Sequence, residues 1–384
     1  MKFTIYSKDF KSAVEKSAVC LNIKSQFVIH RSVYIFADST TGLVTFSATD
    51  FNQCVNIFVK ADIAESGGTL VEYSVLKRML NIQGNITIRT ENKRIIATNG
   101  KKTGECCIVD WEVDTTYYLT SDIAVNDNII CTMDSGEFVK VIENLSKFVS
   151  YVDAKPELTG IYFDAVKRNM VACDTYRMTI YDISDWNIIN DKNVIIPAII
   201  SSQLKKITGK SYDNIKLYSN NKYMCIIADD FTFKTKLIDG KYMDYQATIP
   251  TSTPKFTNKV NIDEFMPVLK EYKDICKGKT LIPMGMYFTE DKLYTSAFSS
   301  EFRTVDSVEL VEYKAPDDEF IIGVNPEFMM GSMQLYKSEM LNPVCSYYSA
   351  ISAIKMVDGK YTMLVVPVRL RSANYIDKVK KLIA

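Results

Sequence analysis

A single histidine, His30, stands in a chain of 384 residues. Its context, QFVIHRSVYIF, gives it an apolar strand setting, and no Ser/His or Cys/His pairing of a nucleophile with a base can be read. The nine cysteines, at 20, 54, 106, 107, 131, 173, 225, 276 and 345, are odd in number and never fall at CxxC spacing. They read as reduced thiols, mostly small buried apolar residues, and without a ligand set no zinc site is expected. GxxxxGK[ST] and GxGxxG are both missing, which removes the usual nucleotide cradles. The acidic clusters Asp229-Asp230 and Asp317-Asp318-Glu319 abut turns and read as solvated loops. The chain is therefore expected to be non-catalytic, without cofactor or metal.

Long apolar runs are missing too. Val194 to Ile200 is interrupted by Pro197 and falls far short of the ~20 residues that a membrane-spanning helix needs. MKFTIYSKDF has no apolar core for a signal peptide, so a soluble, cytoplasmic protein is expected. There is no excess of either charge, with 46 basic and 46 acidic residues, and so no advertisement of the usual basic nucleic-acid binder. An apolar fraction of 47% with 24% charged residues is that of an ordinary globular protein and excludes disorder, collagen and coiled coil. At roughly 100–200 residues per domain, two to four domains are expected.

What is present is a repeat. KFTIYSKDFKSAVEKSAVC, NIICTMDSGEFVKVIENLSKF and NKVNIDEFMPVLKEYKDIC each read as a strand followed by a helix. The helical parts start at Phe10, Phe138 and Phe265, 128 and 127 residues apart. Ala13, Val14, Ser17 and Cys20 recur as Val141, Ile142, Leu145 and Phe148, and again as Val268, Leu269, Tyr272 and Ile275. That spacing is one stripe of a 3.6-residue helix. Asp9, Ser135 and Asp263 lie where side chains cap helix starts. A second strand-to-helix anchor aligns Val71, Ile196 and Val324, and between the anchors Thr41-Gly42, Lys167-Arg168-Asn169 and Glu290-Asp291 read as hairpin turns. The fold class is α+β, three tandem copies of one domain, each made of two helix-plus-meander halves. The expected boundaries are 1–120, 126–250 and 256–370, with an extension at 371–384.

Five segments in order carry a resemblance to the bacterial DNA polymerase III beta subunits, the replicative sliding clamps. They are MKFTI, VACDTYRM, KLIDGKYMDYQATIP, IGVNPEFM and VVPVRL. The resemblance implies a DNA-clamp fold that closes as a head-to-tail dimeric six-domain ring with helices lining the hole. The implied function is that of a processivity factor encircling double-stranded DNA topologically, without sequence specificity. Implied partners are the DNA polymerase III alpha subunit, the clamp loader complex and other proteins with clamp-binding peptides; the implied location is cytoplasmic, at the nucleoid. The other reading kept is a divergent paralogue with altered or lost replication partners.

The DNA-facing candidates are Lys24, Lys140, Lys147, Lys155, Lys205, Lys206, Lys210, Lys270, Lys273 and Lys277; any one of these sets reads equally as a solvated helix face. The resemblance places a partner-peptide pocket between the second and third repeats. Its implied wall is Leu158, Cys173, Thr175, Tyr176, Arg177 and Met178, with Met243, Ala247 and Thr248. Asn325, Phe328, Val344 and Ser346 join it, closed by Val365, Val366, Pro367, Val368, Arg369 and Leu370. The chain departs from the family pattern at Thr175, Tyr176, Met243 and Ala247. Ile275 and Cys276 are expected at the subunit interface.

The family usually stops near Leu370, whereas this chain continues with RSANYIDKVKKLIA. Ile376, Val379 and Ile383 share a helical stripe while Lys378, Lys380 and Lys381 project elsewhere. The segment reads as a helix packed back beside the pocket, able to regulate docking, or as a terminal helix or frayed end without that effect. It holds four basic residues and one acidic, so the remaining 370 carry 42 against 45, a net of −3. A clamp body of that balance needs its basic residues placed in the hole.

Overall fold

Every strand-to-helix unit of the repeat forms where the apolar stripe requires it. A computed structural model describes residues 1–110, 114–118, 123–124, 126–152, 154–208, 214–276, 282–299, 302–308, 313, 315–370 and 374–384. Among the described residues the α-helices are α1 (Ser7–Ser17), α2 (Tyr73–Leu76), α3 (Ser135–Leu145), α4 (Ile200–Thr208), α5 (Ile262–Ile275), α6 (Pro326–Ser338) and α7 (Tyr375–Ile383). The long first helix of each repeat begins three residues before the expected Phe, at 7, 135 and 262. Phe10, Phe138 and Phe265 are each at most 1% exposed. The caps also lie earlier than expected. Asp134 accepts from the Glu137 amide at 2.7 Å and Asn261 from the Asp263 amide at 3.1 Å, while Tyr6 before α1 has no side chain to offer as a cap. Asp9, Ser135 and Asp263 are thus first-turn residues; the two aspartates there act on the helix dipole instead of capping.

The chain divides into two compact units: Met1–Ser146, Asp164–Val166 and Asp185–Asp239 in the first, Lys147–Phe163, Lys167–Ser184 and Gly240–Ala384 in the second. The middle repeat contributes to both, because its strands pair with strands of either neighbour. In the first unit, Phe231–Lys236 pairs antiparallel with Gln53–Lys60 in the register Phe231↔Ile57. In the second, Arg177–Asp182 pairs with Tyr361–Val365 in the register Arg177↔Val365.

The first unit holds a nine-stranded sheet that runs from Asn187–Ile188 to Gly67–Glu72, and a five-stranded sheet ending on the edge strand Thr103–Cys107. α1 lies against the larger sheet, with Phe10 edge-on to Phe46 at 5.8 Å. The second unit holds a sheet in which Asn169–Cys173, Arg177–Asp182, Tyr361–Val365, Ile354–Asp358, Val344–Tyr347 and Phe256–Lys259 follow one another. Its other sheet has four strands in the order Arg303–Val308, Leu293–Phe298, Met284–Phe288, Phe320–Val324.

Strand Met284–Phe288 is buried along its whole length and does not alternate as a half-exposed hairpin strand would. Successive side chains of a strand point to opposite faces, and here both faces are covered. Phe288 meets Phe256 and Phe320 on one side, while Tyr287 packs with Tyr375 and Val379 of α7 on the other. The C-terminal extension is therefore a packed helix, not a frayed end. Tyr375 sits in a socket shaped for it, since a Cβ on Gly285 would lie 2.7 Å from its ring. Burial pushes the Tyr375 hydroxyl up to about 12, and it donates to the Ser296 carbonyl at 3.2 Å.

Candidate functional site

The turn between strands Asn169–Cys173 and Arg177–Asp182 is built around Asp174. Its Oδ1 accepts from the amides of Tyr176 at 3.0 Å and Arg177 at 2.7 Å, which holds Thr175 in the left-handed region at φ 76°. A non-glycine residue there is strained and marks a place where the surroundings dictate the backbone. Arg177 then folds back on the same carboxylate, donating from Nε at 2.9 Å and Nη2 at 2.8 Å to Oδ2. Its guanidinium lies between the rings of Phe148 at 4.9 Å and Phe328 at 5.0 Å. Such a planar cation, paired and stacked on both sides, is a role that lysine cannot fill. Gly331 of α6 lies close against it: a Cβ there would come 2.6 Å from Nη1 of Arg177, and the guanidinium would have to shift.

Tyr176 leaves this turn 57% exposed and stacks on Phe328 at 5.2 Å between ring centroids. The two rings and Arg177 form one wall of a cavity of about 670 Å³. Its other walls come from Phe148 to Val152 and from Met330, Gly331 and Gln334 on one face of α6. Tyr151 and Val152 on its rim are 87% and 64% exposed. Large exposed apolar side chains beside a cavity mark an interaction site. Sequence reading missed Tyr151, Val152, Met330 and Gln334. The signal available was two adjacent apolar residues just after the α3 stripe ends.

The implied pocket residues are brought together to different degrees. Met178 is buried and meets the Thr248 hydroxyl at 3.8 Å; Leu158 and Cys173 are buried close by. Burial raises the Cys173 thiol, so it serves as a neutral apolar group. Met243 is half-buried, and Ala247 and Thr248 are exposed. Val365 is fully buried, paired with Arg177. Beyond it the chain is pinned twice: the Val366 amide donates to the Tyr176 carbonyl at 2.9 Å and the Val368 amide to the Gly323 carbonyl at 2.7 Å. Pro367 and Leu370 are half-buried and Arg369 is exposed. Asn325 is turned to structure, capping α6 by accepting from the Glu327 amide at 2.9 Å. Val344 and Ser346 stand on a strand separated from Tyr361–Val365 by Ile354–Asp358.

Among the lysine candidates, Lys24, Lys140, Lys147, Lys155, Lys206 and Lys270 are exposed. Lys205 is committed to Glu143 at 2.8 Å, and Lys273 reaches Glu327 at 3.7 Å. Lys210 and Lys277 lie outside the described residues. Lys206 lines a second cavity, of about 540 Å³, with Lys8, Lys11, Ser12, Glu15 and Lys16. The α1 lysines were not singled out from sequence, although the i, i+3 spacing of Lys8 and Lys11 puts them on one face. Ile275 is half-buried. Cys276 is 1% exposed, its thiol pushed up to about 11 by burial. Among the described residues no group of three or more His, Cys, Asp or Glu side chains could hold a metal, and no helix is long and apolar enough to cross a membrane.

Residues 132–244 match the family model for the DNA polymerase III beta subunit, central domain. The beta sliding clamp of Streptococcus pneumoniae serotype 4 is 20% identical over 386 residues, spanning 96% of this chain and 99% of that protein. Among solved structures, the beta subunit from DNA polymerase of Streptococcus pyogenes superposes with a TM-score of 0.85 at 17% identity, over 96% of this chain and all of that one. The DnaN sliding clamp of Bartonella birtlesii bound to griselimycin gives 0.82 at 18% identity, over 96% of this chain and 100% of that one.

Proposed function

We propose that this chain, a member of the DNA polymerase III beta subunit family, is a DNA sliding clamp that holds a replicative polymerase on duplex DNA. The observation that carries the reading is the α+β architecture, similar over 96% of the chain to solved beta subunits, joined to the Asp174–Arg177 turn at the expected docking surface. In this proposal the three repeats are three clamp domains, and two chains close head to tail into a ring. Ile275, at the end of α5, lies near the join. A ring retains DNA by topology, so it needs neither base readout nor a tight site. It needs cations toward the phosphates, weak enough to permit sliding. Lys24, Lys140, Lys147, Lys155, Lys206 and Lys270 are suited to this, and Lys8 and Lys11 join them. Lys210 and Lys277 stay candidates on sequence grounds alone. Lys11, Lys205 and Lys273 would first have to leave Glu15, Glu143 and Glu327, and Lys140 and Lys147 are likewise engaged.

The docking surface would take short apolar segments of the polymerase alpha subunit, the clamp loader and other partners. Tyr176, Phe328 and Val366 supply the apolar contact, and the Arg177–Asp174 pair a fixed polar edge. Burying one or two anchor side chains in such a site is the usual way a small interface gains affinity. The chain itself would do no chemistry; any polymerase activity would belong to the enzyme it tethers.

The decisive experiment loads the protein on nicked circular DNA with a clamp loader and then linearises the circle. Retention on circles with loss within minutes of cutting is expected. Equal persistence on linear DNA would sink the clamp reading.

A further inference from the structure

The turn that carries the proposed docking surface has a twin in the first unit. Asp50 Oδ1 accepts from the amides of Asn52 at 3.0 Å and Gln53 at 2.8 Å, as Asp174 does from Tyr176 and Arg177. The Phe51 amide donates to Thr49 Oγ1 at 3.0 Å where that of Thr175 donates to Cys173 Sγ at 3.3 Å. Phe51 has φ 72° and Thr175 φ 76°. The Lys236 amide reaches the Asn52 carbonyl at 2.7 Å and the Ile238 amide the Ile195 carbonyl at 3.0 Å, matching Val366 to Tyr176 and Val368 to Gly323. The Asn22 amide meets the His30 carbonyl at 2.8 Å, as Ser150 meets Leu158. Six contacts at sequence offsets of 124 to 130 residues make one backbone frame built twice.

The side chains on the two frames differ in kind. His30 and Phe51 stand where the second unit has Leu158 and Thr175, and Tyr117 lies against Phe51. Their rings touch in series: His30 to Phe51 at 4.3 Å and Phe51 to Tyr117 at 4.9 Å, with Phe27 at 5.3 Å from His30. Phe27, Phe51 and Tyr117 are 63%, 43% and 43% exposed, a contiguous aromatic patch that water alone would disfavour. Beneath it His30 is 7% exposed, with Nδ1 against Ser25 Oγ at 2.9 Å and Nε2 buried with no hydrogen-bond partner. Burial lowers the His30 pKa, against the pull of Asp50. A buried, unmatched ring nitrogen is costly unless something supplies its partner, and a strained Phe51 is kept where a glycine would be relaxed.

We propose that this patch is a second docking site for the same class of partner, an extended peptide with apolar or aromatic anchors. The peptide lays its anchor on the ring faces of Phe27, Phe51 and Tyr117. The class of partner rests on the docking role proposed for the second unit.

The test titrates the full chain with a fluorescein-labelled decapeptide carrying a Leu-Phe pair in a Ser/Gln background, followed by calorimetry for stoichiometry. Two peptides per wild-type chain are expected. F51G/Y117S should bind one and stay folded, because glycine suits φ 72° and offsets part of the packing lost with the two half-covered rings. Y176A/V366D should also bind one, and the combined variant none. One peptide per wild-type chain, lost in Y176A/V366D and kept in F51G/Y117S, overturns the second site and leaves the first standing. One peptide lost in F51G/Y117S and kept in Y176A/V366D supports the patch and removes the second unit's role. A gain of binding in F51G/Y117S overturns the proposal, since the rings would then be filling a pocket instead of forming a platform; preference for a single-stranded oligonucleotide of the same length overturns it too.

Discussion

Arg177 is where composition, backbone and packing meet in one residue. Its pairing partner three positions back, Asp174, was legible as part of the VACDTYRM motif. Of the two flanking rings, Phe328 was placed in the same wall by the family resemblance, whereas Phe148 was not, because it reads as the last member of a helical stripe. Gly331 was not legible either: nothing in sequence distinguishes a glycine kept for close approach from one that is merely tolerated. The arrangement predicts that Gly331→Ala displaces the guanidinium, loosens the Tyr176–Phe328 stack and weakens docking of an apolar peptide about tenfold, roughly 1.4 kcal/mol. Arg177→Ala should cost about 1–3 kcal/mol of stability by leaving Asp174 half-buried and unpaired. Fluorescence anisotropy on both single variants and the double variant makes the check. If Gly331→Ala costs the same affinity whether or not Arg177 is present, the two do not act through one another.

At the scale of elements, the repeats were readable because an apolar stripe and its strand recur at near-constant spacing, and their helices begin at 7, 135 and 262. The starts were misplaced by one turn because the residues that cap them, Asp134 and Asn261, precede the stripe and resemble ordinary strand ends. The tail was legible as an amphipathic helix, but not its destination, which depends on Gly285 and Ser296 leaving room for one tyrosine. α7 covers a sheet face that would otherwise expose Tyr287, Tyr294 and Ile321, and Lys380 ties it to Glu319. Leu370, at the end of the 366–370 wall, packs against the same cluster as Tyr375 and Val379, and Val368 in that wall is bound to Gly323. Tyr375→Ala should therefore cost about 3–5 kcal/mol, as large-to-small changes of buried aromatics do. Gly285→Val, by evicting the same ring, should cost a similar amount. Removing residues 374–384 should also weaken peptide docking several-fold through the loosened 366–370 wall. Thermal melts and peptide titrations test both halves, and equal peptide affinity with and without the helix would remove its link to the docking surface.

For the whole molecule, a net charge of zero concealed the distribution that matters. Lys8, Lys11, Lys16 and Lys206 converge on one cavity although they come from helices almost 200 residues apart, and two of them, Lys11 and Lys16, already have acidic partners at 3.9 and 3.7 Å. Such a surface neutralises few phosphates at a time. Each phosphate contact contributes about −0.9 to the slope of log K against log salt on duplex DNA. A short linear duplex should therefore bind weakly, with a slope of only a few units, and be released by moderate salt, whereas protein loaded on a closed circle should stay through the same salt because no contact has to hold. The triple variant K8E/K11E/K206E should abolish binding to the short duplex and slow loading, yet leave the lifetime on closed circles nearly unchanged once loaded. Filter binding across a salt series and gel filtration of loaded circles separate the two behaviours. If the variant or the salt empties the closed circles as fast as it frees the short duplex, electrostatic contact and not encirclement holds this protein on DNA.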